Sequence, residues 1–216
     1  MVPAAPHPWI PPPLLVPGAH ARATAYLGVA TGPAARAREH AAGRLCAAQA
    51  LRDAGSTEVE VGAGPRRNPL WPAGFTGSIT HTAALAWAAV VPTGVMRSLG
   101  IDSEPVFDEA SLREAGTLAL DDVERGRLRP GHEASDATIV FSAKESLFKC
   151  VDPCVGAALE LADVRVAWTA GGGPGDGVLE VLLLRDLSRD LPRGRSLPGR
   201  YATSRGHVHT AVWLPS

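Results

Sequence analysis

Three features are scarce in this 216-residue sequence: cysteine, net charge and long apolar runs. Cysteine occurs three times, at Cys46, Cys150 and Cys154. So sparse and odd a set does not make a disulfide framework, and it points to a reducing compartment. The stretch Cys150-Val-Asp-Pro-Cys154 has neither the tight spacing nor the second pair of a zinc site, so these residues read as buried or loop thiols. A net charge of −1 excludes a global field that would draw the chain to nucleic acid or an anionic membrane. Any anion site must therefore be assembled from local clusters of basic residues. No run approaches the roughly 20 apolar residues of a membrane span, and the prolines at 11–13 interrupt the place of a signal peptide's apolar stretch. A soluble, cytoplasmic protein is expected.

What is present suits a globular chain: hydrophobic residues make up 45%, enough to bury a core in one larger domain or two small ones. Residues 1–20 are proline-rich and read as an extended lead-in. Ala37, Ala41, Leu45 and Ala48 recur at helical spacing within residues 34–51, and Gly55 supplies a stop. A short strand is expected at 59–61, a loop at 65–77 and a strand at 99–104. The apolar run at 84–91 fits a buried strand or a short helix equally. A helical stretch followed by loop material is expected within 111–129, and a second strong helix at 136–150. Strand-like segments at 164–168 and 178–184 flank a glycine-rich turn, and a last strand covers 208–214. Helices and strands do not alternate regularly, which predicts α+β architecture.

Three clusters carry the chemistry. In Gly100-Ile-Asp102-Ser-Glu104 the two acids lie at i and i+2, on one face of a strand. Like charges so close call for a cation, and a hard divalent ion suits oxygen ligands; the same pair also reads as a solvated strand end. In Phe141-Ser-Ala-Lys144-Glu145-Ser-Leu-Phe-Lys149, Glu145 and Lys149 form an i,i+4 pair. That segment reads either as a surface ion pair or as one carboxylate for a metal and two ammonium groups for phosphate. The segment Trp71-Pro-Ala-Gly-Phe-Thr-Gly77-Ser-Ile-Thr80-His81 is rich in hydroxyls and glycine, and could present backbone N–H groups and an imidazole to an anion. The pair His207-Val-His209 on the last strand reads as structural.

Order and spacing together resemble the 4′-phosphopantetheinyl transferases of the surfactin- and enterobactin-type class. That family shows a basic helix with a Gly-Arg step, Trp-Pro-x-Gly, Gly-Ser-x-x-His, Gly-Ile-Asp-x-Glu and Lys-Glu-x-x-x-Lys. Here these are Arg36 with Gly43-Arg44, Trp71 to Gly74, Gly77 to His81, Gly100 to Glu104, and Lys144 to Lys149. The stretch beginning Arg67-Asn-Pro-Leu-Trp is closest to the enterobactin-type subgroup. The resemblance implies two pseudo-symmetric halves, 21–98 and 99–216, each a long helix on a small, mostly antiparallel sheet with the active site in the cleft between them. It implies Mg²⁺, or Mn²⁺ in its place, on Asp102, Glu104 and Glu145, with Asp102, Glu145 and Lys149 catalytic. Arg36, Arg44, Thr80, His81, Lys144 and Lys149 would hold coenzyme A, whose phosphates carry about four negative charges. Some members place a lysine near Ala63, a role that Arg66 or Arg67 would take here. A serine of an apo acyl or peptidyl carrier protein would attack the phosphorus bearing pantetheine, releasing 3′,5′-ADP. Glu145 or a metal-bound water would take the serine proton, and Lys149 would steady the leaving group. A monomer is expected. A non-catalytic coenzyme A-binding module and another coenzyme A-dependent transferase are the alternatives; all three acids argue against the first, and the lack of a glycine-rich pyrophosphate loop against an acyltransferase.

Overall fold

The computed structural model describes residues 16, 18–25, 33–66, 68–83, 85–155, 159–172 and 175–216. Most of the lead-in expected at 1–20 lies outside the described residues, as does Arg67. The first part of the chain contains β1 (His20–Ala25), α1 (Pro33–Asp53), β2 (Gly62–Ala63), β3 (Pro69–Leu70), β4 (Phe75–His81) and β5 (Leu85–Pro92). There follow β6 (Met96–Pro105), α2 (Glu109–Leu118), α3 (Asp122–Arg125) and α4 (Glu133–Val155). The last four strands are β7 (Val164–Ala170), β8 (Asp176–Leu183), β9 (Ser196–Ser204) and β10 (His207–Pro215).

The strands form two antiparallel sheets, β1-β5-β4 and β6-β10-β9-β8-β7, with β2 and β3 as a separate ribbon. This is the α+β architecture expected. Each large sheet carries one long helix, although the sheets differ in size, three strands against five. The 59–61 strand is absent; extended pairing begins instead at Gly62. The loop expected to reach Gly77 ends at Phe75, where β4 begins, so the Gly77–His81 segment is a strand paired with β5 and not a glycine-rich loop.

Packing explains the ambiguous run. Cys46, Ala47, Ala50 and Leu51 of α1 cover Ala88 and Val90 of β5. The alternate residues Trp87, Ala89 and Val91 cluster with Leu99 and Ile101 of β6. Buried on both faces, β5 has no polar side to alternate with. On β6, Leu99 and Ile101 join that cluster, while Ser98, Gly100 and Asp102 turn towards α4, as the Ser98 hydroxyl donating to Cys150 O at 2.6 Å indicates. A large core lies between α4 and the five-stranded sheet, with Ile139, Leu147 and Val151 against Val166, Val181 and Val212. The three cysteines are free thiols.

A buried polar chain crosses between the sheets. Trp87 Nε1 donates to Ser103 Oγ at 2.6 Å, and Ser103 Oγ lies 2.8 Å from His209 Nδ1. The neutral imidazole thus pairs with Ser103 through Nδ1 and with Ser204 Oγ, at 3.1 Å, through Nε2, one ring nitrogen donating and the other accepting. The structural reading of this histidine agrees with that placement. Burial and neighbouring His207 push the His209 pKa down to about 4. An unfolded imidazole binds its proton near 6.5, so between these values the unfolded chain holds more protons. The contribution of His209 is therefore complete above about 6.5 and falls by at most about 3 kcal/mol as pH drops to 4. Denaturant titrations at pH 7.5 and 4.5 should show this loss in the parent protein and a much shallower one in His209→Gln. Equal pH slopes in both proteins would contradict it.

Candidate active site

Three elements meet where β4 runs beside β6. The outer edge of β6 is closed there by Ser78, whose hydroxyl accepts from Ile101 N–H at 3.1 Å. On the other side α4 lies directly on β6, because Gly100 has no side chain. A Cβ at that position would come within 1.8 Å of Ser146 O and 2.6 Å of Cys150 N, both main-chain atoms of α4. Gly43 plays the same part on α1, where a Cβ would meet Ile79 of β4 at 2.6 Å. These contacts account physically for the glycines in the two motifs. Gly100→Ala should therefore either destabilise the fold by about 3 kcal/mol or more or shift α4 off β6. Urea unfolding together with a structure of the variant decides this, and an unchanged stability with α4 in place would refute the contact.

The centre of the site is Asp102, 4% exposed. Its Oδ1 accepts from Lys149 Nζ at 2.7 Å and from Thr80 Oγ1 at 3.2 Å, and its Oδ2 accepts from Ser142 Oγ at 2.9 Å. β4, β6 and α4 thus each contribute a motif residue to one carboxylate. Glu104 and Glu145 stand in the same field. Partial burial, then the charge of Asp102, then that of Glu145 push Glu104 up to about 7, with Lys149 opposing. Glu145 is raised by burial first and by Asp102 second.

Beside Lys149 opens a cavity of about 510 Å³. Arg66, Asn68, Pro69 and Trp71 form one wall together with Ser78 of β4, and α4 forms the other, with Phe148 and Lys149. Trp71 packs against Gly77, where a Cβ would come within 2.9 Å of the indole. Arg66 spans the walls, its Nη2 3.2 Å from Asp152 Oδ1 of α4. Both partners are exposed enough for a ligand phosphate to compete for the arginine. A smaller cavity of about 150 Å³ shares Pro69 and Ile79 with the first and is lined by His40, Arg44 and His81. Arg36, exposed, precedes His40 and Arg44 at four-residue intervals, so two guanidinium groups and an imidazole follow one stripe of α1. His81 is half-buried with its Nδ1 3.5 Å from Glu39; burial lowers its pKa and the Glu39 carboxylate opposes that.

Two expected residues have different surroundings from those predicted. Arg44 lines the small cavity, yet its Nη1 donates to Val61 O and, at 2.7 Å, to Gly62 O, so it also pins the chain ahead of β2. Lys144, expected on coenzyme A, is 1% exposed. Its ammonium donates to Glu124 Oε2 at 2.9 Å, Ala119 O at 2.7 Å and Leu161 O at 3.0 Å. Lys144 and Lys149 lie five positions apart, and about 140° of helix rotation separates their faces. Lys149 reaches the cleft and Lys144 the core. Sequence reasoning missed Ser142, Ser146 and Thr210, buried hydroxyls behind Asp102; the spacing of Ser142 and Ser146 one turn apart on the motif helix is the signal that was available.

The charge of Asp102 raises the pKa of both Glu104 and Glu145, so the three carboxylates make a hard-oxygen donor set whose repulsion a divalent ion would relieve. The side chains fit such an ion in kind. Among the described residues no three acidic, His or Cys groups already stand close enough to hold one, and Lys149 partly fills the role at Asp102.

A cleft with basic side chains along both walls and an acidic centre has the chemistry that a polyphosphate would need. The comparisons make this specific. Residues 24–91 match the 4′-phosphopantetheinyl transferase N-terminal domain, and residues 98–190 match the 4′-phosphopantetheinyl transferase superfamily. The chain is 30% identical over 187 residues to 4′-phosphopantetheinyl transferase Npt of Nocardia iowensis, covering 82% of each chain. It is 31% identical over 189 residues to 4′-phosphopantetheinyl transferase PptT of Mycobacterium tuberculosis, covering 86% of this chain and 82% of that one. Enterobactin synthase component D of Salmonella typhi is 37% identical over 116 residues. That alignment takes in 53% of this chain and 47% of the relative, so the chain spans about half the length of its enterobactin-type relatives. The chain belongs to the 4′-phosphopantetheinyl transferase family.

Proposed function

We propose that this protein transfers 4′-phosphopantetheine from coenzyme A to a serine of an apo acyl or peptidyl carrier protein, releasing 3′,5′-ADP. The observation that carries this reading is the convergence of Lys149, Thr80 and Ser142 on Asp102 at the edge of a cavity with a basic rim. Arg36, Arg44, Arg66 and Arg67 offset the charge of coenzyme A, while Thr80 contributes a hydroxyl and His81 an imidazole hydrogen bond. Asp102, Glu104 and Glu145 would hold Mg²⁺ or Mn²⁺, which when bound neutralises the diphosphate as its phosphorus–oxygen bond breaks.

The residues of the chain perform the rest. Glu145, with a raised pKa and an exposed edge, accepts the proton of the attacking serine hydroxyl. Lys149 offsets the charge that develops on the departing phosphate of 3′,5′-ADP. The halves 21–98 and 99–216 form the two walls of the cleft. Their likeness to enterobactin synthase component D favours carriers of siderophore assembly, with polyketide and nonribosomal peptide carriers as further substrates. No helix among the described residues is long and apolar enough to cross a membrane, and the protein acts as a cytoplasmic monomer. A fluorescent coenzyme A analogue incubated with an apo carrier tests this reading. Labelling that requires Mg²⁺ and the acceptor serine supports it, and labelling that persists in a carrier Ser→Ala variant overturns it.

A further inference from the structure

Behind Asp102, away from the cleft, lies a closed set of hydroxyls whose hydrogens can be assigned. Ser142 and Ser146 of α4 and Thr210 of β10 are each 0% exposed. Ser142 Oγ is 2.9 Å from Asp102 Oδ2 and 2.8 Å from Thr210 Oγ1. Ser146 Oγ is 2.7 Å from Thr210 Oγ1 and 3.2 Å from Thr210 O. A carboxylate only accepts, so the single proton of Ser142 points to Asp102. The contact between Ser142 and Thr210 then needs the proton of Thr210, and the contact between Thr210 and Ser146 needs that of Ser146. One assignment gives all three side-chain contacts a proton: Ser146 donates to Thr210 Oγ1, Thr210 to Ser142, and Ser142 to Asp102, with the longer approach of Ser146 to Thr210 O the weaker branch of the same proton. Each donor in such a chain is strengthened by the bond that it accepts.

We propose that Ser142 and Thr210 are positioning residues, a one-way hydroxyl relay that fixes Oδ2 of Asp102 against α4 so that only Oδ1 is presented to Lys149 and the cleft. The inference rests on the transferase reading for its kinetic consequence. Its geometric content concerns the resting protein alone. Thr210 lies beyond the 98–190 stretch that matches the superfamily and outside every motif, so the final strand would be part of the site. Losing a partner behind the primary groups of a site costs about 10- to 100-fold in affinity or activity.

The test uses Thr210→Val, which keeps the shape and removes the hydroxyl that feeds Ser142, and Thr210→Ser, which restores it. The valine variant should lose about 10- to 100-fold in kcat with little change in KM for coenzyme A, and the serine variant should recover most of that loss. A purely structural role would lower the melting temperature and leave kcat per folded molecule unchanged, which would overturn the proposal. Should the valine variant fail to fold, Ser142→Ala with rescue by Ser142→Thr gives the same decision. NMR of the resting protein supplies a readout independent of turnover. Hydroxyl protons of Ser142 and Thr210 should exchange slowly in the parent protein and in Thr210→Ser, and that of Ser142 should exchange faster in Thr210→Val. Rapid exchange of both in the parent would overturn the relay even in an active enzyme. An inactive parent with slow hydroxyl exchange and the same mutant pattern would sink the transferase reading and uphold the relay.

Discussion

Replacing Lys144 by methionine is expected to lower the stability of the fold by about 3–5 kcal/mol, the cost of leaving one member of a buried ion pair alone. The Lys144 and Glu124 side chains are 1% and 0% exposed, so removing the ammonium leaves a buried carboxylate without its cation. Glu124 does more than receive this charge. It also closes the capping box of α3 through Asp121 N–H and accepts from Val166 N–H of β7. One cation therefore ties α4 to the α2–α3 corner and to the start of the five-stranded sheet. The double variant Lys144→Met/Glu124→Leu should regain part of the loss by removing both charges, though it leaves Val166 N–H without a partner. Urea unfolding measures each change. A loss below about 1 kcal/mol in Lys144→Met, the range of an exposed pair, would contradict the burial. Weaker coenzyme A binding by a fully stable variant would return this lysine to the cleft.

The second large effect concerns Lys149, five residues further along the same helix. Lys149→Ala is expected to slow transfer about 10²–10³-fold, as removal of one preorganised electrostatic group does elsewhere. Its ammonium lies 2.7 Å from Asp102 and lines the larger cavity, so it is placed both to balance the acids and to meet a phosphate. With about a third of the side chain exposed, its removal should cost much less stability than that of Lys144. The pair of substitutions thus separates the two ammonium groups of one motif: one variant loses stability, the other stays stable and reacts slowly. Single-turnover rates under saturating coenzyme A check the second. A rate close to that of the parent would remove Lys149 from the chemistry.

Much of this arrangement was legible in the sequence. The helices α1 and α4 follow from apolar spacing, the β7–β8 hairpin from its glycines, and the acidic centre from Asp102, Glu104 and Glu145. What escaped has identifiable causes. β5 looked like helix or strand because both of its faces are covered. β9 was not anticipated; it contains Pro198 and Gly199, and β10 presses so close that a Cβ at Gly199 would come within 2.6 Å of Ala211 O. Lys144 was assigned to the substrate because its burial depends on Glu124, twenty positions earlier on a separate short helix. No local spacing reports that pairing. The hydroxyls behind Asp102 come from two elements 64 and 68 positions apart in the chain, and carry no charge pattern to mark them.

The central claim is that this cleft moves a phosphopantetheine group from coenzyme A to a protein. Incubation of the purified protein with coenzyme A, Mg²⁺ and an apo carrier domain, followed by intact-mass spectrometry, tests it most directly. The account predicts a carrier heavier by one phosphopantetheine and an equal amount of 3′,5′-ADP, with both lost in Asp102→Asn. Tight coenzyme A binding with no change in mass of any apo carrier offered would contradict it, and would make the protein a coenzyme A-binding module.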